Sequence, residues 1–264
     1  KDLIIFFVFN ALLFFLQLLI KKVYPPLIPN FKTNIGINST QAGLLVTLGM
    51  FGYALARFPS GILTDIIGCR RTIIGSGFLM GLTIITVGLS SNYILFALLT
   101  FIMGLSTGLY ITAGYTFAII ISSENKEATF TAFLELFGGL AAAVAPLTVV
   151  LFTENLRLNW RMLFYSIGSG VILVNILFMY FTRKSQIETA DNLHLDYDLF
   201  LQEIKKTLKV FKDSTLTKFV IWATLVGGFG FFTITAFQAF IPSLLIKKGY
   251  SFTRSNQLFT LIFV

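Results

Sequence analysis

Long apolar stretches alternate with short polar connectors along the 264 residues of the chain. Each stretch of about 20 apolar residues matches the ~30 Å hydrocarbon thickness of a bilayer. The pattern predicts membrane helices near 2–24, 40–62, 72–90, 93–121, 127–152, 161–182 and 218–246, and an eighth that begins near 252 and continues to Val264. We therefore predict an all-α polytopic membrane protein.

Local breakers explain where the predicted helices end. Pro25, Pro26 and Pro29 are expected to close the first helix, because proline has no N–H to donate to the helical ladder. The run 36–40 supplies turn and capping residues before the second helix. No cleavage-site pattern follows the first apolar stretch, so we interpret it as a span and not as a signal peptide.

Composition narrows the function classes further. Hydrophobic residues make up 56% of the chain and charged residues 12%, against about 25% charged in soluble domains. The single Cys69 and the single His194 predict no intrachain disulfide and no metal site built from cysteine or histidine. We expect no metal and no cofactor.

The basic residues predict an orientation in the membrane. If the N-terminus is cytoplasmic and the spans alternate, eleven of the 20 Lys and Arg residues lie on the inner side and six on the outer side. This excess follows the positive-inside tendency. We expect a multi-pass protein of the cell inner or plasma membrane, with the N-terminus and the linker described next in the cytoplasm.

A polar stretch at 183–217 is the longest interruption of the apolar pattern. Ile204, Leu208 and Phe211 share one helical face, away from a face with four lysines, which predicts an amphipathic cytoplasmic linker. The same lysines account for much of the net charge of +8. A nucleic-acid partner is therefore not expected.

An internal repeat divides the chain into two parts. Residues 28–48 align without gaps on 241–261, with seven identities in 21 positions, among them Pro29 with Pro242 and Gly36 with Gly249. The repeat predicts a six-helix domain at 1–182, the linker at 183–217, and the start of a second, similar domain at 218–264. Tandem helical halves are a common plan among transporters, with the substrate site between them.

Three short motifs resemble one transporter family. Gly61-x3-Asp65-x2-Gly68-x-Arg70-Arg71 lies between the predicted second and third helices, Tyr53–Gly61 ends the second, and Asn159-Trp160-Arg161 opens the sixth. These motifs resemble the major facilitator superfamily. The resemblance implies a fragment of a twelve-helix, two-domain bundle with about seven complete spans and the start of an eighth.

The chain also departs from the family pattern. Ile66 and Cys69 replace basic residues that usually follow the aspartate and the second glycine, and Thr100 stands where the fourth helix often has an arginine. Ala141 and Ala145 replace glycines of an antiporter-type signature, which weakens an antiporter or efflux interpretation.

The resemblance implies a gating role for the loop signature. In an alternating-access carrier, Asp65 holds the inner ends of the two halves together in one state and releases them in the other. Gly61, Gly68, Arg70 and Arg71 complete this gating motif. The alternative is that the arginines only fix the topology of the loop.

Polar residues of the first helix form one stripe. Asn10, Gln17, Lys21 and Tyr24 fall within about 60° of arc at 100° per residue, so the stripe is expected to face protein or a water-filled cavity. Lys22 points about 100° away and is expected to reach the outer interface.

Lys21 is the candidate anion contact. Some anion-carrying members of the superfamily are similar in having a basic residue near this position, and its repeat counterpart is Ile234. One cation without a symmetric partner argues against a symmetric phosphate clamp and leaves open a smaller organic anion held by this cation.

Further candidates lie on other helices. Glu135, the acidic side chain within a predicted span, either carries a coupling proton or pairs with a basic group. Arg57 either contacts substrate or reaches the inner surface, and the 57–61 run resembles nitrate/nitrite porters, although Gly138-Gly139 lacks their asparagine-containing pattern. The remaining candidates are Tyr53, Tyr110, Tyr115 and Gln238.

These features favour a monomeric secondary transporter for a small solute, with anions as the favoured class and a proton as the candidate coupling ion. The lipid bilayer and the solute are the expected partners. A membrane sensor on the same scaffold, a nitrate/nitrite-type carrier and an efflux carrier remain alternatives. No channel filter and no cluster of nucleophile, base and oxyanion donors is visible, so neither a channel nor an enzyme is expected.

Overall fold

The described part of the protein is a bundle of long helices. The computed structural model describes residues 2–122, 126–183 and 237–261, and in addition 218, 221, 222, 225 and 233. Within these residues the helices are α1 Asp2–Ile35, α2 Ser39–Ile67, α3 Cys69–Leu89, α4 Tyr93–Ile120, α5 Glu127–Val150, α6 Trp160–Thr182, α7 Phe237–Lys247 and α8 Phe252–Thr260. A π-helical turn at Leu151–Asn155 extends α5.

The predicted membrane class is confirmed by the lengths of the helices. Among the described residues, α1, α3, α4, α5 and α6 are each long and apolar enough to cross a bilayer. The helix α2 is a sixth such span if the segments on the two sides of its 46° bend, Ser39–Arg57 and Pro59–Ile67, are counted together. Proline at the bend explains the change of direction.

The prediction that α1 ends at its prolines is wrong. The helix runs through Pro25, Pro26 and Pro29 to Ile35. Each proline removes one helical hydrogen bond, but its fixed φ fits a helix, and packing compensates for the loss. Phe31 lies in an aromatic cluster with Tyr24, Phe96, Trp160 and Phe164, with its ring centroid 5.0 Å from that of Trp160.

The loop predicted between the second and third helices is a single residue. The helix α2 continues to Ile67, and α3 begins at Cys69. Gly68, with φ 88°, makes the whole turn, a left-handed conformation that favours glycine. Gly61 is therefore a helical residue and not part of a turn.

Two departures from the family pattern lie inside this corner. Ile66 and Cys69 are each 2% exposed, so the positions where the resemblance suggests basic residues are filled by packed apolar side chains. A charge at either position would be costly to bury.

Glycines bring α2 and α4 into backbone contact. Cβ atoms built on Gly52, Gly104 and Gly108 would fall on backbone oxygens of the opposite helix, those of Phe101, Gly49 and Tyr53 respectively. Small residues at such crossings let membrane helices approach closely. This contact fixes Tyr53 at one wall of the cavity described below.

Two arginines join α3 and α6 at opposite ends. Arg70, at the start of α3, donates to the Thr182 hydroxyl (2.9 Å) and the Met179 carbonyl (3.2 Å) at the end of α6. Arg161, at the start of α6, donates to the carbonyls of Gly88 and Ser90 at the end of α3, both at 2.7 Å. Helix C-termini present unpaired carbonyls that cations stabilise, so the antiparallel pair is clamped at both ends.

The two members of the sequence repeat have the same local structure. Gly36 and Gly249, aligned in the repeat, have φ 74° and 94°. Two residues later, Asn38 caps α2 by accepting from the Gln41 N–H, and Ser251 caps α8 by accepting from the Arg254 N–H. The helix α8 begins at Phe252 as predicted, whereas the division into 1–182, 183–217 and 218–264 stays a prediction, and 184–217 lies outside the described residues.

Substituting Gly104 with alanine is expected to destabilise the protein by about 1–3 kcal/mol, because the new methyl group collides with the Gly49 carbonyl and forces α2 and α4 apart. Thermal unfolding in detergent measures the effect. Gly139→Ala is the matched control, since a Cβ there meets nothing within 4 Å and alanine is the better helix former. Equal melting temperatures for the two variants would contradict the packing argument.

A candidate substrate cavity

A cavity of about 340 Å³ lies between α1, α2, α4, α5 and α7. Its apolar wall consists of Phe14, Leu18, Met50 and Ile111. Its polar lining consists of Lys21, Lys22, Tyr53, Arg57, Tyr115, Glu135 and Gln238. An apolar surface with a few converging polar groups is typical of small-molecule sites.

The ring of Tyr53 lies next to two cations. The Nζ of Lys21 is 3.7 Å from the centroid of this ring, and the guanidinium carbon of Arg57 is 5.4 Å from it. Cation–π attraction holds a cation over an aromatic face without neutralising it. Tyr53 is therefore a shared partner of these two basic side chains at the wall of the cavity.

Lys22 belongs to the cavity as well, contrary to prediction. Instead of reaching the outer interface, it donates from Nζ to the Oε1 of Gln238, at 2.8 Å. The helix α7, which follows α1 by more than two hundred residues, brings Gln238 to this position. The polar stripe on α1 could not predict that Lys22 lines the cavity, because its partner Gln238 comes from a distant part of the chain.

Glu135 and Tyr115 form a hydrogen-bonded pair on the opposite wall. The phenol of Tyr115 on α4 donates to Oε1 of the Glu135 carboxylate on α5. Both residues line the cavity, and Glu135 and Arg57 are exposed. Arg57 and Glu135 are thus exposed members of the lining, whereas Lys21 and Lys22 are partly buried.

The other members of the α1 stripe face protein, outside this cavity. Asn10 donates to the Gly114 carbonyl at 2.9 Å, and the Tyr110 hydroxyl donates to Asn10 Oδ1 at 2.9 Å. The hydroxyl of Tyr24 lies 3.2 Å from that of Thr100. These contacts join α1 to α4, so the structure places Asn10, Tyr24 and Tyr110 at a helix interface.

Gln17 is the exceptional member of the stripe. It is fully buried, and its amide has no hydrogen-bond partner in the described part of the chain. Buried polar groups are normally paired. The stripe thus faces the interior along its length, and of its four members only Lys21 lines the 340 Å³ cavity.

The predicted gating residues lie apart from the cavity, at the corner between α2 and α3. Asp65 is exposed on the last turns of α2, and Arg71 is exposed on the first turn of α3. Arg70 binds the end of α6, as described above. The structure therefore brings Lys21, Tyr53, Arg57, Tyr115, Glu135 and Gln238 together, and leaves the gating motif at the surface.

The charges of the cavity favour an anion. Three cations, Lys21, Lys22 and Arg57, face one carboxylate, that of Glu135. Inside a membrane bundle such charges are costly, and they commonly mark a substrate or ion pathway. Low polarity around them strengthens their attraction for an oppositely charged group.

The chain is similar to proteins named as transporters. The Major Facilitator Superfamily model matches residues 11–264. Over 161 residues the chain is 28% identical to an uncharacterized MFS-type transporter of Yersinia pestis, covering 56% of this chain and 42% of the relative. It is 23% identical to the niacin transporter NiaP of Acinetobacter baylyi, covering 83% and 54%, and 20% identical to the probable sulfoacetate transporter SauU of Cupriavidus necator, covering 60% and 36%.

Solved structures have the same fold. The D-xylose-proton symporter superposes with a TM-score of 0.70 at 13% identity, covering 97% of this chain and 65% of that chain. A peptide transporter of the POT type, solved with sulfate, superposes with a TM-score of 0.60 at 19% identity, covering 92% and 50%.

The matches to curated relatives span about a third to a half of those relatives' length. The family match itself extends over nearly the whole chain, through the first six helices and into the second member of the repeat. The motifs, the fold and the central cavity agree with it. The chain is a multi-pass membrane protein that belongs to the Major Facilitator Superfamily.

Proposed function

We propose that this protein is a secondary transporter that carries a small organic anion through the cavity by alternating access. The observation that carries the proposal is the charge of the lining, with Lys21, Lys22 and Arg57 against Glu135 alone. Two relatives have names that refer to organic acids, sulfoacetate and niacin. An anion entering the cavity replaces the water around these cations and offsets their cost of burial.

The polar lining differs between the two ends of the cavity. Near the α1–α2 connection, Gln238 binds Lys22, and Phe240 lies against Gly43. Arg57 and Glu135 line the cavity toward the other end. With the N-terminus in the cytoplasm, as the basic residues suggest, Lys22 and Gln238 lie toward the outer side, and Arg57 and Glu135 lie toward the inner side.

Glu135 is the proposed carrier of a coupling proton. It lies across the cavity from the cations, and Tyr115 holds its carboxylate by donating a hydrogen bond. Protonation removes the negative charge and leaves the cations to the substrate. Binding of proton and anion to the same cavity thus becomes mutually favourable, as coupled transport requires.

Asp65 is the proposed latch of the cycle. Exposed near the C-terminal end of α2, it is placed to accept hydrogen bonds from a neighbouring helix end or an arginine in one state and to lose them in the other. The clamp between Arg70 and α6 keeps the base of this corner rigid while Asp65 changes partners.

Uptake by the full-length protein in proteoliposomes tests the transport proposal. We expect flux of small carboxylates that rises with an inward proton gradient, and a Michaelis constant about tenfold or more higher in Lys21→Gln, because one charge contact is lost. Lys32→Gln is the control, since Lys32 binds Ser39 at the α1–α2 connection, outside the lining. Absence of gradient-dependent flux for every anion tested would contradict the proposal, and binding without flux would identify a sensor.

Glu135→Gln is expected to reduce uptake driven by the proton gradient by at least about tenfold while preserving solute exchange without a gradient, because a permanently neutral side chain cannot carry the proton. Glu127→Gln on the first turn of the same helix, outside the cavity lining, is the matched control. Undiminished gradient-driven uptake in Glu135→Gln would exclude it as the carrier.

Asp65→Asn is expected to slow transport without lowering the amount of protein in the membrane, because the amide keeps the volume but loses the charge that the latch requires. Initial uptake rates, normalised to membrane content by quantitative blotting, measure the effect. An unchanged rate would leave the corner with a purely topological role.

A further inference from the structure

A second, smaller chamber adjoins the charged cavity. It has a volume of about 50 Å³ and lies between α1, α2, α4 and α7. Lys21, Lys22, Met50 and Gln238 line both spaces. The lysines therefore stand at the boundary between a charged compartment and this chamber.

The surface of the chamber is almost wholly apolar. Its walls come from Leu45, Val46, Met50 and Met103 and from Gly49 and Gly104, which lie where α2 and α4 are in backbone contact. Methionine adapts its shape readily to different apolar ligands.

The hydroxyls around the chamber are engaged elsewhere. That of Thr100 donates to the Phe96 carbonyl at 2.8 Å and lies 3.2 Å from the hydroxyl of Tyr24. That of Thr107 points to the sulfur of Met80, at 3.8 Å. Away from Lys21, Lys22 and Gln238, the chamber consequently offers little to a polar ligand or to water, which needs two or more polar partners.

We propose that the chamber is a specificity subsite that accepts a compact apolar group attached to the anionic head of the substrate. The inference rests on the proposed transport of an organic anion. The chamber and the charged cavity share Lys21 and Lys22, so an apolar group in the chamber lies next to the lysines that bind the anionic head. This position is the reason to propose that both groups belong to one substrate. The substrate class is thus an amphipathic carboxylate, in preference to inorganic anions and to acids with a hydroxylated chain.

Val46 is the residue through which the subsite can be altered most cleanly. It lines the chamber but not the charged cavity, and its side chain is not among the nearest neighbours of the glycines where α2 and α4 meet. Leu44, two positions earlier on the same helix, is 47% exposed and lines neither space, so it provides a matched control.

The test measures the dissociation constants of acetate, propionate and butyrate for the full-length protein in nanodiscs at one pH. Burial of a methylene is worth about fourfold in affinity, so each added carbon is expected to tighten binding by about that factor. In Val46→Phe the new ring fills the chamber, the gain along the series disappears, and acetate binding stays within about twofold of its original value. Leu44→Phe retains the gain.

Val46→Ala makes the side chain smaller, so this second variant is informative even if the protein does not tolerate a larger residue at this position. It enlarges the chamber, so the gain is expected to extend to pentanoate and hexanoate. The subsite is overturned if the unaltered protein binds all the carboxylates with equal affinity. It is also overturned if Val46→Phe weakens the binding of acetate and butyrate equally and Val46→Ala does not change the preference for chain length.

Flux measurements separate this outcome from failure of the proposed function. Length-dependent binding without gradient-driven flux overturns transport and retains the subsite. Flux of carboxylates without any dependence on chain length overturns the subsite and retains transport. Absence of binding by every carboxylate in the series overturns both.

Discussion

Charge within an apolar medium is the constraint on which the arrangement of this bundle depends. Lys21, Lys22, Arg57 and Glu135 lie on helices otherwise apolar enough to face lipid, and each must find water, a polar partner or an aromatic face inside the protein. Side chains of the cavity provide the polar partners and the aromatic face. Tyr53 receives the cations on its ring, Gln238 accepts from Lys22, and Tyr115 donates to the carboxylate.

The surrounding scaffold is rigid for reasons independent of these charges. Glycines set α2 against α4 at backbone contact, and two arginines tie the ends of α3 to the ends of α6. A carrier that alternates between two states moves largely as rigid bodies around a fixed site. The apolar chamber lies beside the same contact of α2 and α4, and Gly49 and Gly104 of that contact are part of its lining.

Much of the fold could be predicted from the sequence, and the errors have identifiable causes. Hydropathy located the spans because the bilayer imposes a minimum apolar length. The prolines of α1 led to a wrong prediction of where the helix ends. Their local cost is offset by aromatic packing around Phe31, which a local sequence pattern does not reveal. Likewise, the corner after α2 was expected to be a loop, but Gly68 makes the turn alone, since only one residue needs the left-handed conformation.

The residues of the candidate site were likewise predicted only in part. Six of the predicted residues line the cavity together, because ionisable and aromatic polar groups on apolar helices converge where lipid is excluded. Asn10 and Tyr110 show the same residue chemistry, yet they bind each other at the interface of α1 and α4. Helical periodicity indicates which face turns inward, but not whether that face meets a helix or a space.

By itself, the sequence determined the class of the protein, the approximate positions of its first six spans, the inward face of α1 and the equivalence of the two capped turns at Gly36 and Gly249. These properties depend on periodicity, length and local backbone preference, which can be read directly from the sequence. Only the tertiary structure decided that Lys22 joins the cavity through Gln238 and that an apolar chamber lies behind the lysines. Both arise where helices distant in sequence meet, and the shape of the space between them is set by packing.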